Sequence, residues 1–179
     1  MTRASLTHWM HANALVVRET GLLLRGGSGA GKSALSMELI ARARRNGEFA
    51  SLVGDDRIAL ENRSGRLIAR PHNAIGGSIE VRGAGIVSVP FERGAVIRGL
   101  VELAAMEEVD PGRPTELRWV PEEICGLSVP RLVLKQREGL GCIKISLFLQ
   151  YLESRRRMPP LFSCLFRRIA QNMVAKAPA

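Results

Sequence analysis

The stretch Gly26-Gly27-Ser28-Gly29-Ala30-Gly31-Lys32-Ser33 fits G-x-x-x-x-G-K-[ST], a pattern whose glycines let the backbone fold into a nest of N–H groups around phosphate oxygens. A helix starting at the loop adds about half a positive charge at its N-terminus, aimed at the same anion. In this motif the lysine reaches the β- and γ-phosphates and the serine hydroxyl ligates Mg²⁺, so the residues in those roles are Lys32 and Ser33. Such a loop alone specifies only that a nucleotide binds. A second acidic element decides what happens to it, and Asp55-Asp56 is the candidate because it ends the apolar run Ser51-Leu52-Val53. Successive residues on an extended chain point to opposite sides, so the two carboxylates can take different tasks. One steadies Mg²⁺ and the other accepts a proton from an incoming hydroxyl; the spacing does not say which.

The flanking elements are those the loop requires. Leu22-Leu23-Leu24 reads as a buried strand leading in, and Leu35, Leu39, Ile40 and Ala43 fall on one face of a helix leading out. That helix should end near Arg44-Arg45-Asn46-Gly47, where basic residues precede Asn and Gly. His11 to Val17 reads as a strand that turns through Arg18-Glu19-Thr20-Gly21 into the loop strand, and Ala50 to Val53 as the next strand. A hairpin follows, Arg57 to Leu60 and Arg66 to Ala69, turning at Asn62-Arg63-Ser64-Gly65. Further strands are expected over Ile86 to Val89, Val96 to Leu103, Glu116 to Val120 and Leu127 to Leu134, with a turn at Asp110-Pro111-Gly112 and a break at Pro130. Ile143 to Arg157 reads as a helix with Ile145, Leu149 and Leu152 at core spacing, and Leu161 to Val174 as a last short one. The whole is an α/β pattern, residues 1–179 forming a single domain whose segment 143–179 is basic and partly helical.

A chain of 179 residues, 46% of them apolar, can bury a sizeable aliphatic core. No apolar run approaches the ~18 residues that span a bilayer, and Met1 to Trp9 lacks the apolar region of a secretory signal. Cys125, Cys142 and Cys164 fit neither a C-x-x-C site nor a disulfide framework, so the expected setting is reducing and cytoplasmic, without a membrane. Much of the net charge of +9 gathers near the C-terminus, in Arg155-Arg156-Arg157, Arg167-Arg168 and Lys176. With few aromatics and no reader motif, nucleic acid is not the expected partner.

His11-Ala12, the loop, Leu52-Val53-Gly54-Asp55-Asp56 and Ile79-Glu80-Val81-Arg82-Gly83-Ala84-Gly85-Ile86 together resemble the catalytic domain of HPr kinase/phosphorylase. The E-[IV]-R-G-x-G-I pattern after a D-D pair is the most specific part. The match runs from about His11 to Val89 and more loosely to about Leu134, and it looks like the short α-proteobacterial form without a separate N-terminal domain. The resemblance implies a phosphate-loop kinase fold of the PEP carboxykinase-like type, a mixed central sheet with flanking helices. It implies ATP and Mg²⁺ as cofactors and transfer of the γ-phosphoryl group to a serine of HPr, the phosphocarrier protein of the sugar phosphotransferase system. The reverse step, phosphorolysis of phosphoserine-HPr, yields pyrophosphate. Carried over by position, Gly26, Gly27, Ser28, Gly29, Ala30, Gly31, Lys32 and Ser33 hold the nucleotide and Lys32 stabilises the moving phosphoryl group. Ser33 and Glu80 hold the metal, His11 matches the active-site His, and Asp55 and Asp56 supply the base, with a lean to Asp56. Arg82 either pairs with Glu80 or touches phosphate. The family's further active-site arginine has three candidates here, Arg113, Arg131 and Arg137. A small-molecule kinase of the same fold and a non-catalytic nucleotide-binding regulator are the alternative functions, and a homo-oligomer is compatible with the sequence.

Overall fold

The computed structural model describes residues 7–72, 77–81, 83, 85–105, 121–137 and 139–157. In chain order its elements are β1 (His8–Met10), β2 (Ala12–Val17), β3 (Thr20–Gly26), α1 (Lys32–Arg45), β4 (Ala50–Gly54), β5 (Ile58–Arg63), β6 (Arg66–Pro71), β7 (Ser78–Val81), β8 (Gly85–Ser88), β9 (Ala95–Ala104), β10 (Glu122–Ile124), β11 (Leu127–Val129), β12 (Arg131–Lys135) and α2 (Gly141–Arg157). The expected strand over Glu116 to Val120, the turn at Asp110 to Gly112, the helix over Leu161 to Val174, and Arg82 and Arg113 lie outside the described residues.

The central sheet is mixed, in the order β1-β5-β6-β9-β3-β2-β4. The loop strand β3 runs parallel to β9 and antiparallel to β2, so the β2–β3 hairpin expected from Arg18 to Gly21 forms. β9 is long enough to pair twice along one side, antiparallel to β6 through residues 95–97 and parallel to β12 through residues 100–104. The β5–β6 hairpin turns at Ser64 and Gly65, both at positive φ (50° and 75°) as a two-residue primed turn demands, and Asn62 Oδ1 accepts from the Gly65 N–H at 3.0 Å. Pro130, which cannot donate to a ladder, separates β11 from β12, and those two strands belong to different sheets.

Period-two alternation sorts the core into two layers. Leu22 and Leu24 of β3 join Leu15, Leu52, Val101, Leu132 and Leu134 on one face, where Leu39, Ile40 and Ala43 of α1 and Ile145, Phe148, Leu149 and Leu152 of α2 pack. Leu23 points the other way, to Ala14, Val53, Ile58, Leu60, Leu67, Leu100, Ile124 and Val129. The buried residues of both described helices thus belong to one face, and strand hairpins cover the other. α2 lies so close to β9 that a Cβ at Gly99 would sit 2.7 Å from Leu152 Cδ1 and 2.8 Å from the Phe148 ring. Near the end of the loop strand, Arg25 is clamped between Glu102 of β9 (2.9 Å from Nε) and Glu122 of β10 (2.6 Å), and Arg131 of β12 reaches Glu122 at 3.1 Å. These pairings raise the Arg25 pKa and hold Glu122 below the usual carboxylate range. No helix among the described residues is long and apolar enough to cross a membrane.

Candidate active site

β3 delivers the chain into the loop, and Gly31 takes a left-handed conformation (φ 98°) at the point where α1 begins. α1 has neither a side-chain cap nor an acidic residue in its first turn. Among the described residues no side chain caps this helix start, the arrangement in which leading N–H groups can receive an anion. Lys32 is 5% exposed, with Nζ donating to the carbonyls of Gly26 (3.1 Å) and Gly27 (3.3 Å).

Two further groups meet that ammonium. His11 Nε2 lies 3.1 Å from Lys32 Nζ, and Asp56 Oδ1 lies 3.8 Å from it. An ammonium only donates, so Nε2 accepts, and a neutral ring carries its proton on Nδ1, which faces Asp56 Oδ1 at 3.5 Å. His11, Lys32 and Asp56 thus form a closed triangle at one end of the loop.

The two aspartates occupy different environments. Between β2 and β4 the register slips, Ala14 opposing Gly54 and Leu15 opposing Leu52, so Val53 is an extra residue that bends the end of β4. Beyond it Asp55 turns inward, 8% exposed, with Oδ1 accepting from the Ser33 hydroxyl at 3.1 Å and Oδ2 from the Glu80 N–H at 3.2 Å. Burial pushes its pKa up from the ordinary 3.8, outweighing the two hydrogen bonds that oppose the shift. Asp56 adopts φ 61°, a left-handed conformation that Asp tolerates better than most residues, and its side chain is 66% exposed. Its N–H is held by Asn13 Oδ1 at 3.3 Å.

Asn13 is a residue that sequence reasoning missed. It is fully buried, and its Nδ2 lies 3.4 Å from both Ser33 Oγ and Ser36 Oγ, so one amide ties the loop helix to the Asp56 corner. The available signal was a polar residue inside the apolar run Ala12 to Val17. Glu80 is exposed on β7 and shares with Ser28, Lys32, Ser33, Asp55 and Asp56 a cavity of about 350 Å³. Arg137 lines the same cavity, whereas Arg131 is engaged with Glu102 and Glu122.

A phosphate loop set between a buried strand of a mixed sheet and the uncapped start of a helix, faced by an acidic pair, defines a phosphate-loop α/β domain. Within that class the chain belongs to the HPr Serine kinase C-terminal domain family, whose model matches residues 3–145. It is 31% identical over 144 residues to the HPr kinase/phosphorylase of Mycoplasma mycoides subsp. mycoides SC, covering 75% of this chain and 44% of that protein. To the HPr kinase/phosphorylase of Chlorobium phaeobacteroides it is 32% identical over 146 residues, 76% of this chain and 41% of that one. The chain spans less than half the length of these relatives. Among solved structures the Hpr(Ser) kinase/phosphatase from Coxiella burnetii superposes with a TM-score of 0.69 at 27% identity, covering 83% of this chain and 99% of that one.

Proposed function

We propose that this domain transfers the γ-phosphoryl group of ATP to a serine of HPr, and that it runs the reverse step in which inorganic phosphate takes the phosphoryl group from phosphoserine-HPr to give pyrophosphate. Membership of the family and the names of its relatives support the substrate. The observation that carries the chemistry is the exposed Asp56 carboxylate 3.8 Å from the buried Lys32 ammonium, beside an uncapped helix start.

Phosphoryl transfer needs positioning and charge neutralisation more than covalent chemistry. The loop N–H groups and Lys32 hold the β- and γ-phosphates and neutralise charge that grows on the leaving oxygen. Asp56, open to solvent and hence to a protein substrate, takes the proton of the attacking serine hydroxyl as the serine oxygen bonds to the γ-phosphorus and the bond to ADP breaks. In reverse, protonated Asp56 returns its proton to the serine oxygen as phosphate attacks. His11 keeps Asp56 oriented through its Nδ1 face while its Nε2 takes a Lys32 proton contact. Ser33, Asp55 and Glu80 are hard oxygen donors of the kind Mg²⁺ takes, and a cation there would offset the burial of the Asp55 carboxylate. Bound Mg²⁺ supplies neutralisation of the phosphate oxygens.

The test is incubation of the protein with γ-labelled ATP, Mg²⁺ and purified HPr. Label is expected on a serine of HPr, and Lys32→Ala should abolish it. Tight ATP binding with no phosphoserine on HPr would overturn the proposal in favour of a nucleotide-binding regulator.

A further inference from the structure

A second cavity, of about 290 Å³, opens on the far side of the first turn of α1. It is lined by Leu35, Glu38, Leu103, Leu134, Arg137 and Cys142, and none of these is used by the reaction except as Arg137 enters the first cavity. The two cavities share Gly31, Ala34 and Arg137, so they meet across the start of the helix.

The direction of a bound triphosphate follows from the loop. Its reacting end lies at Lys32, Asp55 and Asp56, and of the second cavity's lining none of these three is part. The lysine of such a loop takes the β- and γ-phosphates while the backbone cradles the α- and β-phosphates. A triphosphate continuing from the first cavity into the second would pass its α-phosphate by Ala34 and Arg137, which line both.

The walls suit what is attached there. Leu103, Leu134 and Cys142 are buried, Leu35 is half-buried, and burial together with a hydrogen bond to Glu38 pushes the Cys142 thiol up to about 12, so it stays neutral. An apolar slot of this size sits at the lower end of small-molecule sites, which begin near ~300 Å³. At its rim Glu38 offers only acceptors, matched to hydroxyl or amino donors, and Arg137 only donors, matched to phosphate. Arg137 holds a left-handed backbone (φ 56°) in the connection from β12 to α2.

We propose that this cavity is the nucleoside subsite, the base lying between α1 and the β12–α2 connection, and that Arg137 bridges the two cavities by binding the α-phosphate. The proposal rests on the ATP reading above and adds where the nucleoside goes. Gly141, in the cavity wall, provides the probe: a Cβ there would lie 3.9 Å from Leu134 Cδ1 and 4.0 Å from Leu35 Cδ1, so a larger side chain would grow from the wall of the slot.

Calorimetric titration of the full chain with Mg²⁺-ATP and with Mg²⁺-tripolyphosphate decides it. On the unmodified protein ATP should bind at least about tenfold tighter than tripolyphosphate, a difference only a nucleoside contact supplies. Gly141→Leu should cost ATP about tenfold and leave tripolyphosphate within about twofold, while Arg137→Ala should weaken both by about tenfold. ATP binding no tighter than tripolyphosphate to the unmodified protein would overturn the subsite whether or not the variants fold. So would a folded Gly141→Leu protein with unchanged ATP affinity or an equal loss of both ligands, and unchanged affinities in Arg137→Ala would overturn the bridging role. Binding of neither ligand to the unmodified protein would instead overturn the nucleotide reading and this subsite with it.

Discussion

Asp55 and Asp56 carry the same functional group one residue apart, and the backbone gives them opposite surroundings. Burial raises the Asp55 pKa above 3.8, so its ionised form is the disfavoured one in the folded protein. Its contribution to stability is accordingly most favourable below 3.8 and is lost as pH rises through the raised folded value. Asp55→Asn keeps both contacts, the amide oxygen accepting from the Glu80 N–H and the amide nitrogen donating to Ser33 Oγ. We expect thermal unfolding of ligand-free Asp55→Asn at pH 7 to show a Tm equal to or above that of the unmodified protein, the gain shrinking toward pH 4. The Tm increase given by Mg²⁺-ATP should be smaller in this variant. A lower ligand-free Tm would contradict the assignment. In the sequence the pair was legible as an acidic corner but its division of labour was not, because the extra residue Val53 that turns Asp55 inward is set by the β2–β4 register. Likewise Arg131 and Arg137 are equivalent as letters; only the clustering of Glu102 and Glu122 from distant strands removes Arg131 from the site.

Elements with strong local signals were the readable ones. The run Leu22 to Leu24 marks β3 because it is buried on both faces, and α1 ends where Arg44-Arg45-Asn46-Gly47 says it should, with Gly47 at φ 74°. The expected helix at Ile143 begins two residues earlier, at Gly141, within the ordinary uncertainty of a helix end. β1 carried no such signal: three residues, His8 to Met10, gain strand form only by pairing with β5. The pairing of β9 with both β6 and β12 is equally non-local. At this scale the decisive contact is α2 on β9. Gly99→Ala places a methyl group 2.7 to 2.9 Å from Leu152 and the buried Phe148 ring, an overpacking that should cost about 1–3 kcal/mol. It should lower the denaturant midpoint with little change in slope, and an unchanged midpoint would mean that α2 does not sit this tightly on the sheet.

For the molecule as a whole, the sequence supplied the class of fold and its family resemblance, while the arrangement of core and site came from the tertiary structure. Both core clusters and every residue of the candidate site, among the described residues, fall between Met10 and Leu152. Truncation after Arg157 should leave ATP affinity within about twofold and unfolding cooperative, although it removes part of the basic charge. Complete loss of ATP binding on truncation would place the C-terminal segment in the fold or in an interface between copies. The central claim is that the exposed carboxylate facing Lys32 takes the proton of an incoming serine. Its most direct measurement compares Mg²⁺-ATP affinity with the single-turnover rate of phosphoserine formation on HPr, in the unmodified protein and in Asp56→Asn. The geometry predicts affinity within a few-fold and a rate lower by about 10²–10⁴; an unchanged rate of transfer in Asp56→Asn would contradict it.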